Sequence, residues 1–323
     1  MNNDGDVVGS KGARGFEGGH AFIWSHGRMT DISALGNVIM TSAFAIDDQQ
    51  QILGNAIPAD GDCGDIPILY KRKMSADLRT FAGGKYLCGV NASTYDGRMI
   101  GTDGYGKTML YSNGKWSPFM LPSGQTVSPL CRNLFMNRKG DVAEISGKRD
   151  RLCERWAEIG GKEYSLKGLP HANAMVLIGL SDSGIVAGNS FKSTPDSTSF
   201  EPSIEESHGG AFVWSVREGA RALPALKGCS LPTVNAMSHS GDMAGTCVDA
   251  GGKRRITLWH SVKAEDISAL TPALIGADLI GVCAINDHGQ ICVEVEKDSR
   301  RVAYILYPPL KPACRNNSCL PHC

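Results

Sequence analysis

The sequence predicts an all-β fold made of seven tandem repeats, and three observations support this prediction. A turn that usually contains glycine, followed by an apolar strand, recurs at intervals of 43 to 57 residues along the 323-residue chain. An aromatic strand follows each of these turns, as in AFIW at 21–24 and AFVW at 211–214. No segment keeps the 3.6-residue period of a helix. About four short strands per repeat at this spacing are typical of a propeller blade, so the expected fold is a β-propeller.

The glycine turn sets the repeat starts, which lie near residues 5, 50, 97, 140, 184, 241 and 289. Glycine supplies the positive φ angle that such turns need, and Asn, Asp and Ser beside it bond to nearby backbone. The longest interval contains a polar segment at 189–208, rich in serine and proline, which indicates a loop insertion. The predicted organisation is therefore a propeller domain over 1–308 and a cysteine-rich tail over 309–323.

Three further segments of the repeat recur at the same spacing as the glycine turn. The aromatic strand recurs seven times, as AFIW (21–24), PILY (67–70), TMLY (108–111), CERW (153–156), AFVW (211–214), ITLW (256–259) and AYILY (303–307). We expect its aromatic residue to pack between adjacent blades. A short strand that ends near leucine comes next, as in MTDISAL at 29–35, and the last strand runs into the following turn.

The strand count predicts an incomplete first and last repeat. Seven copies carry the turn strand and the aromatic strand, but only six carry the two later strands, so about 26 strands are expected where seven full blades need 28. Seven blades are the favoured arrangement, and six blades with a trailing hairpin are the alternative. We hypothesise that Met1 is an internal or misassigned start. Two upstream strands, following a secretory signal, would then complete the last blade and close the ring.

The segment GHAFIWSHGRMTDISALG at 19–36 resembles the HAF-type bacterial repeat, which is named for its His-Ala-Phe triplet. The positions that match the pattern are His20, Ala21, Phe22, Trp24, Asp31, Ile32, Leu35, Gly36, Ala45 and Ile46. AEDISAL and AINDHGQI repeat the later half of the pattern, and the third and fourth copies keep only its spacing. The resemblance implies β architecture and an extracellular or periplasmic location, and it implies little about chemistry.

Composition limits the classes of function. Lys plus Arg and Asp plus Glu number 33 each, so zero formal net charge argues against nucleic acid as a partner. No apolar stretch reaches the roughly 18 residues of a membrane span. Eleven cysteines favour an oxidising compartment, although the opening MNNDGDVVGS is not a signal peptide. Loss of the signal by truncation would reconcile these two observations.

Cysteines and carboxylates provide the candidate sites. Cys283 and Cys292 flank the turn in CAINDHGQIC, where cross-strand partners of a tight hairpin lie, and they are the disulfide candidates, with two buried free thiols as the alternative. PADGDCGD at 58–65 offers Asp60, Asp62 and Asp65 as ligands for Ca²⁺, with a plain polar turn as the alternative. No other cofactor is expected. In the tail, the zinc-type ligands Cys314, Cys319, His322 and Cys323 are crowded, which favours disulfides or a disordered tail over zinc.

Two functions compete at this point. No G-x-S-x-G, P-loop or H-E-x-x-H motif occurs, and we expect the repeat histidines His20 and His208 to be structural. The favoured hypothesis is a non-enzymatic propeller that binds a glycan or a protein on its face or in its channel. The alternative is a secreted hydrolase or lyase that acts on polysaccharide with carboxylates around the channel. A close carboxylate pair at the channel mouth would favour the enzyme, and an exposed aromatic platform there would favour carbohydrate binding.

Overall fold

Seven antiparallel sheets form a seven-bladed β-propeller in the computed structural model of the protein. The structure describes residues 1–11, 19–36, 38–58, 66–78, 80–81, 85–94, 96–103, 107–119, 134–148, 151–170, 172–192, 210–260, 262–268, 271, 274 and 276–307. The predicted all-β class and the seven-blade arrangement are confirmed, and the six-blade alternative is wrong.

The blades follow one another in chain order. The first contains β1 (Val7–Lys11), β2 (His20–Ser25) and β3 (Arg28–Asp31). The second contains β4 (Ala34–Leu35), β5 (Val38–Ile46), β6 (Ile52–Pro58), β7 (Ile66–Lys71) and β8 (Met74–Asp77). The third contains β9 (Thr80–Phe81), β10 (Lys85–Ser93), β11 (Met99–Asp103), β12 (Thr108–Ser112) and β13 (Lys115–Pro118).

The remaining four blades complete the ring. The fourth contains β14 (Leu134–Met136), β15 (Val142–Lys148), β16 (Arg151–Ile159) and β17 (Lys162–Ser165). The fifth contains β18 (Ala174–Leu180), β19 (Val186–Phe191), β20 (Gly210–Ser215) and β21 (Gly219–Ala222). The sixth contains β22 (Cys229–Met237), β23 (Met243–Asp249), β24 (Arg254–His260) and β25 (Lys263–Asp266). The seventh contains β26 (Asp278–Ile285), β27 (Ile291–Lys297) and β28 (Arg300–Leu306).

Each full blade is a meander from an inner strand to an outer strand. The first strands of neighbouring blades approach one another, as β18 and β26 each approach β22, so these inner strands surround the central channel. The two-residue strands β4 and β9 extend the inner edges of their sheets. Among the described residues, the first blade has no inner strand and the seventh has no outer strand, in agreement with the predicted strand count.

Apolar clusters between neighbouring blades form the core. The described residues form six clusters, and each one spans the junction between two consecutive blades. The aromatic strand contributes as predicted: Trp259 of the sixth blade is fully buried against Leu223 of the fifth, and its Nε1 donates to the Pro224 carbonyl at 2.8 Å. Trp214 packs in the same way on the fourth blade, 5.8 Å from the ring of Tyr164.

The register corrects the predicted alignment of two copies. Glu158, and not Trp156, lies opposite Val142 in the fourth blade, at the position that Trp214 occupies opposite Val186. Because strand side chains alternate with a period of two, Trp156 remains on the same face. In the seventh blade Leu306 holds this position, and Tyr307 is 66 % exposed.

Two further predictions concern the chain between blades. The insertion at 189–208 begins inside a strand, since β19 continues to Phe191, and residues 193–209 lie outside the described part of the chain. Across the described residues, no helix has the length and hydropathy that a membrane crossing requires.

The junction packing predicts unequal costs for truncating equivalent tryptophans. Trp259→Ala should lower the free energy of unfolding by about 3–5 kcal/mol, because it empties a filled junction. Trp24→Ala is the matched control at the same repeat position, where the side chain is only half-buried, and should cost about 1–2 kcal/mol. Urea unfolding of both variants measures the difference, and equal costs would contradict the junction model.

Candidate binding site at the channel mouth

Seven equivalent turns lie at one end of the channel, and each comes directly before the second strand of its repeat. They span 2–6, 47–51, 94–98, 137–141, 181–185, 238–242 and 286–290, and we call them the turn ring. In every one, the first residue donates its backbone N–H to the fifth carbonyl, and the fourth donates to the first carbonyl. The fourth residue has positive φ and is glycine in six turns, whereas Gln50 takes this conformation at φ 58° in the second.

Side chains at the first turn position hold the turns in shape. Asn137 Oδ1 accepts hydrogen bonds from the backbone of Lys139 and Asp141 at 2.9 and 3.0 Å. Asn286 repeats this pattern in the last turn, and Ser181 and Ser238 do so with their hydroxyl groups. These are Asx and Ser turns, in which a short polar side chain replaces a backbone acceptor.

Among the described residues, hydrogen bonds join six of the seven pairs of adjacent turns around the channel. Asn286 Nδ2 donates to the Asn2 carbonyl at 2.9 Å, and Asn2 Nδ2 donates to the Asp47 carbonyl at 3.1 Å. Asn137 Nδ2 bonds in the same way to the Ser181 carbonyl at 2.9 Å. Side chains at the second turn position also bond to the backbone of a neighbouring turn. Asp182, in the fifth turn, accepts a hydrogen bond from the backbone N–H of Arg138, in the fourth turn, at 3.0 Å. These bonds tie neighbouring turns of the ring to one another and restrict their relative motion.

Residues at the second turn position form a charged group at the channel mouth. We call Asn3, Asp48, Arg138, Asp182, His239 and Asp287 the mouth cluster. Arg138 forms an ion pair with Asp182 of the adjacent turn, and its Nη2 also lies 3.6 Å from Asp287 Oδ2. Since the Arg138 and Asp287 turns belong to the fourth and seventh blades, this side chain reaches across the channel.

All three carboxylates of the mouth cluster have both oxygens engaged. Asp182 accepts from the Arg138 backbone N–H and from Arg138 Nε at 2.5 Å. Asp48 accepts from the backbone and side chain of Asn3 at 2.8 and 2.9 Å. Asp287 Oδ1 accepts from the Ser240 N–H at 2.8 Å, while its Oδ2 faces Asn3 Nδ2 at 3.3 Å and Arg138. Asn3 Nδ2 thus bridges Asp48 and Asp287, which lie within two hydrogen-bond lengths of each other.

Electrostatics at the mouth favour an ionised carboxylate and a neutral imidazole. Partial burial would raise the pKa of Asp182, but the hydrogen bonds and charge of Arg138 outweigh it and lower that pKa. Burial is the main cause that lowers the pKa of His239, and it outweighs the nearby carboxylates Asp287 and Asp182. At neutral pH Asp182 is therefore ionised and His239 is neutral.

Bulges in the inner strands place additional side chains on the channel wall. The ladder of β5 shifts register between Ala43 and Ala45, and β26 shifts between Val282 and Ala284. The extra residues are Phe44 and Cys283, and both are exposed. An exposed residue in the middle of an inner strand faces the channel, because its outer edge is paired and its blade faces are packed. Phe44 is 52 % exposed and lies about 10 Å along the strand from the turn ring.

The disulfide candidates Cys283 and Cys292 are adjacent but are free thiols in the structure. Cys292 lies opposite Ala284, and Cys283 is the bulged residue, so they are not the direct cross-strand pair that an even hairpin would give. The hydrogen bond between their sulfurs lowers the pKa of Cys283, and the same bond together with burial raises the pKa of Cys292. Cys283 is therefore the thiol of the two that ionises first.

A disulfide that the sequence did not predict joins Cys229 and Cys247 across β22 and β23. Because β22 contains two register shifts, more residues lie between Cys229 and the hairpin turn than between the turn and Cys247. Counting residues outward from the turn therefore fails to match the two cysteines, and the register of the bulged hairpin places Cys229 opposite Asp249. The disulfide thus joins diagonal neighbours on the two strands, whose Cα atoms lie 5.8 Å apart.

The predicted Ca²⁺ ligands Asp60, Asp62 and Asp65 lie outside the described residues, as does the cysteine-rich tail, so both sites stay predictions. Within the ranges that the structure describes, no group of three or more His, Cys, Asp or Glu side chains is arranged to hold a metal ion.

His20 belongs to a polar cluster in the first blade. Its Nδ1 lies 3.2 Å from Asp31 Oδ2 and 3.0 Å from Ser33 Oγ, and Ser33 also donates to Asp31 Oδ1 at 2.5 Å. A Ser-His-Asp relay uses opposite ring nitrogens, whereas here one nitrogen meets both partners. Arg255 forms an ion pair with Asp266 at the equivalent positions in the sixth blade. Both pairs join the third and fourth strands of their repeat, so His20 has a structural role there.

Comparison with known proteins places the chain by fold alone. No family model and no curated protein sequence matches it. The β-propeller domain of the Trilobed protease from Pyrococcus furiosus, which has an open velcro topology, is similar with a TM-score of 0.50 and 8 % identity, over 84 % of this chain and 82 % of that one. One of two structurally analysed prolyl endopeptidases has a TM-score of 0.51 and 12 % identity, over 85 % of this chain and 42 % of that one.

TolB from Acinetobacter baumannii is also similar, with a TM-score of 0.45 and 12 % identity, and the match covers 80 % of this chain. The chain spans 61 % of the TolB chain. The two matches with TM-scores of 0.50 and 0.51 show a β-propeller fold, and at 8 % and 12 % identity they show nothing about activity.

The charge state of Asp182 predicts an acid-dependent contribution to stability. Asp182→Asn should lower the free energy of unfolding by about 1–3 kcal/mol at pH 7, because Arg138 loses its charged partner. The folded-state pKa of Asp182 is lowered, so this contribution is present above the unfolded value of 3.8 and is lost as pH falls through the folded value. Denaturant unfolding between pH 7 and pH 2 should show the two proteins converging below about pH 4.

Glu218→Gln is the control for this experiment. Glu218 forms a half-exposed ion pair with Arg221, which should contribute about 0–1 kcal/mol. A pH-independent difference between the parent protein and Asp182→Asn would contradict the assignment.

Proposed function

We propose that this protein is a non-enzymatic binding propeller that works outside the cytoplasm, and that the mouth cluster is its ligand site. The observation that carries the proposal is the engagement of both oxygens in Asp48, Asp182 and Asp287 by donors of the turn ring. Their side chains are held before a ligand arrives, so little side-chain entropy is lost on binding.

The chemistry of the mouth fits a hydroxyl-rich ligand that carries no negative charge. A hydroxyl group can donate to a carboxylate and accept from the Arg138 guanidinium in the same site. Three carboxylates against one guanidinium favour neutral sugars or amino sugars over uronic acids. Phe44 offers an apolar face on the channel wall, and its exposure supports carbohydrate binding. We therefore propose a neutral or amino-substituted glycan as the ligand.

Three features support a location outside the cytoplasm. The HAF-type resemblance of 19–36 implies secretion, the chain contains eleven cysteines, and Cys229 and Cys247 form a disulfide. Disulfides persist in extracellular and periplasmic proteins, whereas cytosolic reductants remove them.

A hydrolase or lyase that acts on polysaccharide is the second candidate. Asp48 and Asp287 favour it, because both accept a hydrogen bond from Asn3 Nδ2 and are therefore near neighbours, as are the two carboxylates of a retaining glycosidase, which lie about 5 Å apart. A general acid must keep a proton for the leaving group, however, and both oxygens of each carboxylate here already accept hydrogen bonds. This arrangement supports a binding role more than a catalytic one.

The test is calorimetric titration of the protein with neutral, amino-substituted and uronic oligosaccharides. We expect neutral or amino-substituted fragments to bind and uronic fragments not to bind. Asp287→Asn should weaken binding by about tenfold or more, because it removes a charged acceptor from the mouth. Phe44→Ala should also weaken binding of the same oligosaccharide, because the sugar loses an aromatic ring on which it can stack.

Asp266→Asn is the matched control, since Asp266 also pairs with an arginine but lies on the outer strand of the sixth blade. It should leave the affinity unchanged. Release of reducing ends from a bound glycan, abolished by Asp287→Asn, would favour the enzyme instead. Binding that survives every mouth substitution would place the site elsewhere.

A further inference from the structure

Bulged residues of the inner strands line the channel at one level below the turn ring. Phe44, Asn235 and Cys283 each precede the first residue of their turn by three positions, and all three are exposed. The strand that carries Asn235, β22, lies between β18 and β26 and contacts both of them. Exposure at this position is therefore a property of the bulge, since it persists between two neighbouring inner strands. Cys283 thus presents a thiol to the channel, about 10 Å along the strand from the turn ring.

A second thiol lies directly behind Cys283. In the ladder of β26 and β27, Cys292 pairs with Ala284, and Cys283 is the extra residue of the bulge. Because two residues of a bulge oppose one residue of the partner strand, Cys283 and Ala284 both lie opposite Cys292. The two thiols are accordingly joined by a hydrogen bond. One thiol of the pair is open to the channel, whereas Cys292 is only 3 % exposed.

The two thiols differ in how readily they ionise. The hydrogen bond with Cys292 lowers the pKa of Cys283, whereas the same bond, together with burial, raises the pKa of Cys292. The thiolate is the form that attacks a disulfide, so Cys283 reacts first. Once Cys283 has reacted, it no longer holds the proton of Cys292, and the main cause that raises the pKa of Cys292 is removed.

We propose that Cys283 and Cys292 form a thiol–disulfide exchange site for a low-molecular-weight disulfide in the channel. The Cys283 thiolate attacks one sulfur of the small disulfide, whose S–S bond breaks, and the leaving thiolate takes up the proton that Cys283 released. Cys292 then attacks Cys283 Sγ in the mixed disulfide, and the second small thiol leaves with the proton of Cys292. The protein dithiol is oxidised by two electrons to a disulfide, and the small disulfide is reduced to two thiols.

The position of Cys283 sets the size of the reaction partner. Its side chain lies in the wall that the inner strands form around the channel, below the turn ring, so a partner reaches it only through the channel. A folded protein cannot bring a disulfide of its own to this depth, whereas a small molecule such as oxidised glutathione can. The disulfide between Cys229 and Cys247 is an internal reference, because Cys247 is fully buried and Cys229 is half-buried.

The test is peptide mass spectrometry of the full chain after reaction with oxidised glutathione and alkylation of the remaining thiols. Trypsin releases residues 264–297, which contain Cys283, Cys292 and no other cysteine. We expect this peptide to acquire an internal disulfide. Reduced glutathione should reopen it about tenfold or more faster than the bond between Cys229 and Cys247, because the sulfur of Cys283 is accessible from the channel.

Two substitutions test the order of the two attacks. In Cys292→Ala the reaction should stop at the mixed disulfide, so one glutathionyl group accumulates on Cys283. In Cys283→Ala the peptide should remain unmodified, because Cys292 is buried. The parent protein alone carries the test if either variant fails to fold.

Three results would overturn the proposal. The first is a peptide whose two thiols both remain open to alkylation at a concentration of oxidised glutathione that oxidises free cysteine. The second is a bond between Cys283 and Cys292 that reduced glutathione does not reopen, since the pair would then be a permanent structural disulfide. The third is reaction with a disulfide attached to a polymer of protein size as fast as with oxidised glutathione, since Cys283 would then lie outside the channel.

Discussion

The packing of each blade against its predecessor is the interaction on which the rest of the structure depends. A four-stranded sheet cannot bury both of its faces alone, and the six apolar clusters lie between blades and not within them. Trp259 shows how one residue serves this junction, because its ring fills the apolar space and its Nε1 bonds to the backbone of the blade before it. Such bonds fix the spacing of the blades and hence the width of the channel.

The turn ring applies a second constraint at one end of the channel. Its side chains stabilise their own turns and also bond to the next turn, so the local fold and ring closure depend on the same residues. The mouth cluster follows from this arrangement, since six equivalent turns bring their second residues, all of them described, to the same end of the channel. The repeated turn places these residues at equivalent positions around the channel. The site owes its chemistry to the differences among them, as between Asp182, Arg138 and His239.

By itself, the sequence determined the fold class, the seven repeat starts and the three-stranded first and last blades, because strand period and turn residues are local signals that recur. It could not determine the mouth cluster, since Arg138 and Asp287 are far apart in the chain and meet only when the ring closes. It also did not find the disulfide between Cys229 and Cys247, because the two register shifts in β22 alter the pairing that residue spacing assumes. Local chemistry therefore specified the blades, whereas closure and register, which depend on contacts between distant strands, decided the site.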